Sequence, residues 1–366
     1  MKPILLVGEQ QGEAEAKISR TFVGTTGAEL LRMLHDAGVI VLTPSDRSCL
    51  SRFYRSRDPW TLDAIWNAHP EVFRTNVFQQ FPPANDLTFF CGPKKEGIPG
   101  YPMLSKSKYV RKEFQHELTR LGDEILAHDP NLIICLGNTA LWALAGRTGI
   151  TKLRGTTCVS THLVSGYKLL LTYHPSAVTR QWELRPATVA DLSKALKEKD
   201  HPDVRRPRRE IWIEPSLEDI QTFIKDHIRE GQILSVDIET SGTQITCLGL
   251  SPRKDLAIVI PIHDERSKDG NYWPSKELEL KCWRAIRDVL ENPSIPKLFQ
   301  NGLYDVPFLL RSYGIRVMGA SEDTMLLSHA LHPESLKGLG FLGSIYTDEG
   351  PWKVERKSSS TIKRDE

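Results

Sequence analysis

Leu169-Leu-Leu-Thr-Tyr-His174-Pro-Ser-Ala-Val-Thr-Arg180 is the stretch that decides the fold of the first half of this sequence. Its apolar run predicts a buried strand of a parallel sheet. Because proline cannot continue a central strand, the chain must turn at His174-Pro175. The turn places an imidazole at the carboxyl end of a strand, where open α/β sheets bind their ligands. A solvent-exposed loop histidine is the alternative that this stretch alone leaves open.

The composition is that of an ordinary soluble globular protein long enough for two domains. Of its 366 residues, 40% are hydrophobic and 26% are charged. The formal net charge of +2 is too small to indicate a nucleic-acid partner without local clusters. The six cysteines form no C-x-x-C pair, which is typical of free thiols in a reducing compartment. With no evident signal peptide or membrane span, we expect a cytoplasmic protein.

Other strands of the first half also carry polar residues near their ends. The run 3–7 predicts a buried strand that leads to Glu9, a carboxylate placed between glycines. The run 75–78 predicts a short strand with Asn76, which is either a turn residue or an amide that reads a base. The run 131–136 predicts a further buried strand. Because helices alternate with these strands, we expect a mostly parallel sheet with helices on both faces.

Three other segments bear on the organisation of the chain. Phe22 lies between the first strand and an apolar-faced helix, and both core packing and ligand stacking fit it. Residues 44–72 are rich in Arg, Ser, Pro and Trp, and their weak periodicity predicts an insertion or long loop. Residues 198–210 are basic and contain almost no apolar side chains, which predicts an interdomain linker. Its charge suits either a nucleic-acid backbone or a soluble tether.

Acidic residues in the second half form an ordered set. Asp237 and Glu239 project from the same face of a predicted strand, because side chains alternate along a strand. Two adjacent carboxylates repel each other unless something cationic lies between them. Asn301 and Asp305 are four residues apart on one face of a starting helix, so a third carboxylate can join the first two. The oxygen-only set predicts a site for a hard divalent cation.

Residues 1–197 resemble the uracil-DNA glycosylase superfamily, and its family-four branch in particular. The matching pieces are Gly8-Glu9, Thr21-Phe22-Val-Gly24, the Asn76 strand with Pro82-Pro83, Leu136-Gly137-Asn-Thr-Ala140, Leu153-Arg154-Gly155 and His174-Pro-Ser-Ala-Val-Thr-Arg180. The resemblance implies a glycosylase-like parallel-sheet α/β sandwich that excises uracil or a related base from DNA by hydrolysing the N-glycosidic bond.

The same resemblance assigns a role to particular residues of this sequence. The implied catalytic residues are Glu9 and His174, and the implied base-binding residues are Gly8, Phe22, Asn76, Ser176 and Arg180. At these positions the glutamate positions or activates water, and the histidine stabilises negative charge on the departing base. The phenylalanine stacks on the flipped base, and the asparagine reads its polar edge. An aromatic platform in a pocket suits chemistry on an extruded base.

The sequence departs from the family pattern at two places. Gln10-Gln11 stands where the family usually has Ala-Pro, which bears on the shape of the pocket. Gln79-Gln80-Phe81 stands where Lys-Cys-Arg is expected. Because the cluster-binding cysteines are absent, we expect no iron–sulfur cluster and no other cofactor in this domain.

Residues 211–352 resemble the 3′–5′ exonuclease domain of family A DNA polymerases, which has a ribonuclease-H-like fold. The matching motifs are Asp237-Ile-Glu239-Thr and Asn301-Gly-Leu-Tyr-Asp305, and later stretches resemble bacteriophage members. The resemblance implies Mg²⁺ or Mn²⁺ at the three carboxylates, whereas Asp323 begins a structural helix. The third motif, Tyr-x-x-x-Asp or His-x-x-x-x-Asp, does not follow, so we expect this domain to be incomplete at its C-terminus.

Together these resemblances predict a two-domain DNA-processing protein, cytoplasmic in a bacterial or phage-infected cell, with a polar tail at 353–366. DNA is the expected partner, and a DNA polymerase polypeptide is a candidate supplier of the missing exonuclease motif. One alternative is a non-catalytic, DNA-binding or uracil-sensing front part of a phage family A DNA polymerase. Another is a glycosylase that acts on a different modified base.

Overall fold

The computed structural model describes residues 4–349, which form two compact units. The first unit contains the residues up to 205 together with 340–349, and the second contains residues 206–339. The division falls within the basic segment 198–210 that the sequence predicts as a linker. The predicted polar tail, 353–366, lies outside the described residues.

The first unit alternates strands and helices along most of its length. Strands β1 to β7 span Ile4–Gln10, Val72–Phe78, Cys91–Gly92, Tyr109–Val110, Leu132–Leu136, Thr157–Val159 and Lys168–Thr172. Helices α1 to α10 span Glu13–Ile18, Thr25–Asp36, Pro44–Ser56, Pro59–Asn67, Gln115–His128, Asn138–Ala145, Ile150–Leu153, Pro175–Arg180, Arg185–Ser193 and Ala195–Glu198. Short 3-10 turns occur at Pro83–Asn85, Leu87–Phe90, Lys94–Glu96, Lys112–Phe114 and Trp182–Leu184.

The main sheet of this unit has the order β2-β1-β5-β7-β6, and the first four of these strands are parallel. Strands β5 and β7 are buried along their whole length, as strands covered on both faces should be. Helices α5, α6 and α9 pack against the sheet. The predicted parallel α/β sheet is therefore confirmed, and the carboxyl ends of four strands meet at one edge.

Residues 44–72 are not a long loop, so that prediction is wrong. They contain the helices α3 and α4, each of which begins with proline directly after a capping residue. The side chain of Thr43 accepts a hydrogen bond from the backbone of Asp46, whose side chain accepts one from the backbone of Thr43. Leu50 and Phe53 then pack into the core at helical spacing.

A buried ionic network fixes the end of β7. The guanidinium of Arg154, 2% exposed, donates through Nε to Asp191 Oδ2 at 2.7 Å. The hydroxyl of Thr172, the last residue of β7, donates to the same oxygen at 2.8 Å. Arg154 Nη1 donates to Ser344 Oγ at 2.9 Å, and Lys194 Nζ donates to the carbonyl of Ser344 at 2.7 Å. These bonds fix the carboxyl end of β7, the strand that leads to His174.

Ser344 belongs to helix α15, Leu339–Tyr346, which packs with the first unit. This helix lies inside the range 211–352 that the sequence resemblance assigns to the exonuclease-like domain. Its contacts explain the placement, because Phe341 lies 5.4 Å from the guanidinium of Arg154 and Ser344 bonds to that same group. An arginine stacked on an aromatic ring is a favourable contact.

The second unit is built on a mixed sheet. Strands β8 to β13 span Glu210–Ile213, Leu234–Ser241, Gln244–Arg253, Leu256–Pro261, Lys297–Phe299 and Ala320–Asp323. Helices α11 to α14 span Leu217–His227, Lys276–Leu290, Gly302–Tyr313 and Thr324–Leu331. The sheet order is β13-β12-β9-β10-β11-β8, in which β9, β10 and β11 form an antiparallel meander and the outer strands run parallel to their neighbours. This is a ribonuclease-H-like arrangement, as predicted.

No helix within residues 4–349 has both the length and the apolar character needed to cross a membrane.

Arg154→Ala should lower the free energy of unfolding of the full chain by roughly 3–5 kcal/mol, because it leaves the Asp191 carboxylate buried without its cation. Urea unfolding measures the change. Arg253→Ala is the matched control, since the Arg253–Asp255 pair is half-exposed and about 0–1 kcal/mol is expected there. Equal, small changes in the free energy of unfolding of both variants would contradict a large contribution of the buried pair to stability.

Candidate active sites

A pocket of about 170 Å³ lies at the carboxyl edge of the first sheet. Its lining residues are Glu9, Gln10, Gly12, Glu15, Phe22, Thr26, Asn76, Asn85, His174, Ser176 and Arg180. The structure thus brings six of the seven residues predicted for this site to one cavity, and the seventh, Gly8, lies directly beside it. Glu9 lies on β1, Asn76 on β2, and His174 just after β7, and these parallel strands end at the same edge of the sheet.

Gly8 is the residue that gives the pocket its room. It pairs with Asn76 across the parallel β1–β2 ladder. A Cβ atom on Gly8 would lie 2.6 Å from the ring of Phe22 and closer still to the Asn76 amide oxygen. Any larger side chain must therefore displace one or both of these groups, which explains glycine at this position.

Asn76 presents a buried amide oxygen that no described residue satisfies. The residue is 2% exposed, and its Oδ1 has no hydrogen-bond partner within residues 4–349. Its backbone is firmly held, because the carbonyl accepts a hydrogen bond from Arg120 Nη2 at 2.7 Å. An unsatisfied buried carbonyl costs about 1–3 kcal/mol, so this atom is set up to receive a donor from a bound molecule.

Phe22 is both a core residue and a wall of the pocket. It is 4% exposed and belongs to the hydrophobic core, yet it also lines the cavity. Its backbone adopts a left-handed φ of 56°, which needs support in a residue this bulky. Glu15 Oε1 accepts from the backbone N–H groups of Val23 and Gly24 at 3.0 and 2.9 Å, and Trp66 Nε1 donates to the Phe22 carbonyl at 2.9 Å.

His174 is oriented by the turn that its own sequence dictates. Its Nδ1 accepts from the backbone N–H of Ser176 at 3.2 Å and lies 2.7 Å from the Ser176 hydroxyl. The proton of the neutral imidazole is thereby assigned to Nε2. Burial lowers the pKa of His174, as does Arg180, while the Glu9 carboxylate acts in the opposite direction. Gly137 allows this close packing, since a Cβ there would lie 2.9 Å from His174 Cβ.

Glu9 is held by Thr139 of α6, a residue to which the sequence analysis gave no role. Thr139 is fully buried at the start of α6, and its hydroxyl donates to Glu9 Oε2 at 2.5 Å. One carboxylate oxygen is thus fixed. The sequence could have indicated Thr139 as a site residue, because it follows the buried strand 132–136 and so lies at the same edge of the sheet. Glu15 was missed as well, since a helical glutamate gives no sign that it supports a distant loop.

The carboxylates of the second unit are brought together only in part. Asp305, 5% exposed at the start of α13, accepts a hydrogen bond through Oδ1 from the backbone N–H of Ile238 at 3.2 Å. Burial raises the pKa of Asp305 to about 6, with the charges of Asp237 and Asp323 adding to the rise. Asp237 is exposed and Glu239 is half-exposed on β9.

Asp323 serves as a structural cap, as expected. Its carboxylate accepts from the backbone N–H groups of Asn301, Gly302, Met325 and Leu326 at 3.1, 2.7, 2.8 and 3.3 Å. These bonds join the starts of α13 and α14. Across residues 4–349, no group of three or more His, Cys, Asp or Glu side chains is placed to hold a metal ion.

Comparisons with protein families divide the chain in the same way as these two sites. Residues 1–198 match the model of the uracil DNA glycosylase superfamily, which is more than half of the chain. Residues 216–360 match the model of a 3′–5′ exonuclease domain.

Two curated relatives match parts of this chain. A DNA polymerase of Bacillus phage SP01 is 25% identical over 256 residues, which are 62% of this chain and 27% of that protein. The type-4 uracil-DNA glycosylase of Thermotoga maritima is 26% identical over 196 residues, which are 52% of this chain and 75% of that enzyme. The chain therefore spans about a quarter of the length of the phage polymerase.

Solved exonuclease structures are similar over smaller parts of the chain. Brucella melitensis NrnC with bound Mg²⁺ is 21% identical with a TM-score of 0.26, covering 39% of this chain and 62% of that one. The Aedes aegypti Nibbler EXO domain is 15% identical with a TM-score of 0.32, covering 44% and 81%. By its family matches and its two sites, the chain is a member of the uracil DNA glycosylase superfamily in which a 3′–5′ exonuclease domain follows the glycosylase domain.

Proposed function

We propose that the first domain excises uracil from DNA by hydrolysing the bond between the base and the sugar. This proposal is carried by the buried amide oxygen of Asn76, which has no hydrogen-bond partner in the described part of the chain and lies in a pocket with Phe22, Glu9 and His174. The 26% identity to a type-4 uracil-DNA glycosylase supports it. A base paired in a duplex cannot reach such a cavity, so the nucleotide must be flipped out of the stack.

The pocket residues then account for recognition of the base. The ring of Phe22 supports the flipped base from one side. Asn76 Oδ1 accepts the hydrogen bond from N3–H, the one N–H group of uracil that remains when N1 is bound to the sugar. Thymine carries a methyl group that must also fit beside these walls, so the size of the cavity contributes to selectivity.

The reaction breaks the C1′–N1 bond, and the bonding electrons pass to the base. His174 donates a hydrogen bond from Nε2–H to a carbonyl oxygen of uracil, where the negative charge accumulates. Water forms the new bond to C1′, and its proton passes to the Glu9 carboxylate. The uracil anion then takes up a proton from solvent and Glu9 returns its proton to solvent, so that free uracil and an abasic sugar are the products with no redox step.

The electrostatics favour a neutral histidine in this role. Burial lowers the pKa of His174, which favours the uncharged form of the imidazole. In that form Nδ1 can keep the hydrogen bond that it accepts from the Ser176 backbone, which a protonated ring would lose. A neutral donor held in fixed geometry stabilises charge that develops in the transition state without first binding an anion.

His174→Ala should reduce the rate of uracil release roughly 100-fold or more, because it removes a preorganised donor from a buried site. The assay uses a uracil-containing oligonucleotide in EDTA, followed by alkaline cleavage of the abasic product. His116→Ala, an exposed histidine in the same unit, is the control. An unchanged rate of uracil release in His174→Ala would contradict the proposed role of His174. Wild-type protein that retains uracil-containing DNA yet releases no base would instead support a non-catalytic sensor.

We further propose that the second domain binds Mg²⁺ or Mn²⁺ through Asp237, Glu239 and Asp305 and contacts a DNA 3′ end. The three oxygen donors suit a hard cation in kind, and burial together with the charge of Asp237 raises the pKa of the Asp305 carboxyl. They do not fully suit it in position, since within residues 4–349 no group of three or more such side chains is placed to hold a metal ion. Two-metal hydrolysis needs ions about 3.5–4 Å apart, which takes more carboxylates than these.

This chain alone should therefore show little or no exonuclease activity. Degradation of a 3′-labelled single strand with Mn²⁺ is compared between the wild type and Asp237→Ala. Activity should appear when a segment carrying a Tyr-x-x-x-Asp element is supplied, in the same chain or by a polymerase partner. Robust degradation by the wild type that is abolished in Asp237→Ala would show that the site works without that element.

Asp305→Asn should stabilise the second unit at about pH 8 and much less at about pH 4, in metal-free buffer. Because burial raises the pKa of Asp305 from 3.8 to about 6, the folded state favours the neutral carboxyl. The contribution of Asp305 to wild-type stability must then fall as the pH rises from about 4 to about 6, whereas the amide of asparagine cannot titrate. Urea unfolding across this pH range measures the difference.

Added Mn²⁺ should reverse the comparison in the same experiment. It should stabilise the wild type at about pH 8 more than it stabilises Asp305→Asn, because the variant has lost one of the three ionised ligands. Glu334→Gln, at an exposed carboxylate of the second unit, is the control. Parallel pH profiles for the wild type and Asp305→Asn would contradict the buried, charge-coupled state of this residue.

A further inference from the structure

The pocket contains a second amide oxygen that the roles given above leave without a partner. Gln10 follows Glu9 at the end of β1, and both line the cavity. The Gln10 Oε1 atom is buried and has no hydrogen-bond partner within residues 4–349. Because leaving such an atom unsatisfied is costly, it indicates a donor that arrives with the substrate.

The orientation of the Gln10 amide is fixed by its neighbour. Its Nε2 donates to the Asn85 side-chain oxygen at 2.9 Å and lies 3.3 Å from the Asn85 backbone carbonyl. A backbone carbonyl can only accept a hydrogen bond, so the nitrogen end must face Asn85 and the oxygen end must face away. Asn85 also lines the pocket and has a left-handed φ of 56°, so the turn that carries it is specific.

Uracil itself cannot donate a hydrogen bond to Gln10 Oε1. Once its N1 is joined to the sugar, the base has one N–H donor, and the proposed function already pairs that donor with Asn76. The remaining polar atoms of uracil are two carbonyl oxygens, which cannot donate to Gln10. Water is the one other reactant, and it has two O–H donors and must lie beside Glu9 in order to lose a proton to it.

We propose that Gln10 positions the attacking water together with Glu9. The water donates one hydrogen to the Glu9 carboxylate and the other to Gln10 Oε1, which directs its lone pair at C1′. As the O–C1′ bond forms and the C1′–N1 bond breaks, the first hydrogen passes to Glu9 as a proton and the second stays on the new hydroxyl. Gln10 is thus a positioning residue, and Asn85 holds it. This inference rests on the proposed uracil excision.

The test is the variant Gln10→Met, which keeps the length of the side chain and removes the acceptor. The turnover rate kcat for a uracil-containing oligonucleotide should fall roughly 10- to 100-fold, because a misplaced nucleophile is slow, while KM stays within about twofold. Gln11→Met is the matched control, since Gln11 bonds to Gln79 and is not part of the pocket lining. Asn85→Ala should lower kcat in the same direction by freeing the Gln10 amide.

Competition between water and methanol gives a ratio of products that would not change if the role of Gln10 were purely structural. Methanol has one O–H donor and cannot bridge Glu9 and Gln10, so the wild type should form abasic sugar with strong preference over the methyl glycoside. Gln10→Met should lose much of that preference. If the wild type is active and Gln10→Met keeps both its kcat and its product ratio, this inference alone is overturned. The same holds if the substitution changes only KM. A wild type that releases no uracil overturns the proposed function and this inference with it.

Discussion

The parallel pairing of β1 with β2 is the constraint on which the glycosylase site depends. It sets Gly8 beside Asn76, and the missing side chain of Gly8 is what lets the Asn76 amide and the Phe22 ring both lie close to the Gly8 backbone. A shift of one residue in this register would turn a strand's side chains to the opposite face. The buried ion pair of Arg154 and Asp191 then holds the end of β7, from which His174 extends.

The charges of the two sites are handled in different ways. In the first domain, burial lowers the pKa of His174 and so favours its neutral imidazole, although the Glu9 carboxylate acts in the opposite direction. Thr139 holds that carboxylate by one oxygen. A donor and a base can thus coexist in one small cavity. In the second domain, Asp305 is buried near Asp237 and its pKa rises to about 6. The polar groups of the first site are therefore held in place by its own residues, whereas the second site brings a buried carboxyl close to another acidic residue.

The sequence predicted the elements that have strong local signals. The apolar runs before Glu9 and before His174-Pro175 predicted buried parallel strands, and both are confirmed. The segment 44–72 was misjudged, because its polar composition hid two helices whose proline and capping residues mark their starts. That error matters, since Trp66 of α4 bonds to the Phe22 carbonyl and helps to hold the site. Phe22 also proved to be a core residue as well as a pocket wall.

By itself, the sequence determined the two α/β domains and the identities of the residues at the strand ends, because period-two and buried-strand patterns are local properties of the chain. Only the tertiary structure decided which of those residues meet. Contacts such as Thr139 with Glu9 and Asn85 with Gln10 join residues 130 and 75 positions apart. Only the folded chain shows that the amide oxygens of Asn76 and Gln10 have no hydrogen-bond partner among residues 4–349, because satisfaction of a polar atom depends on everything packed around it.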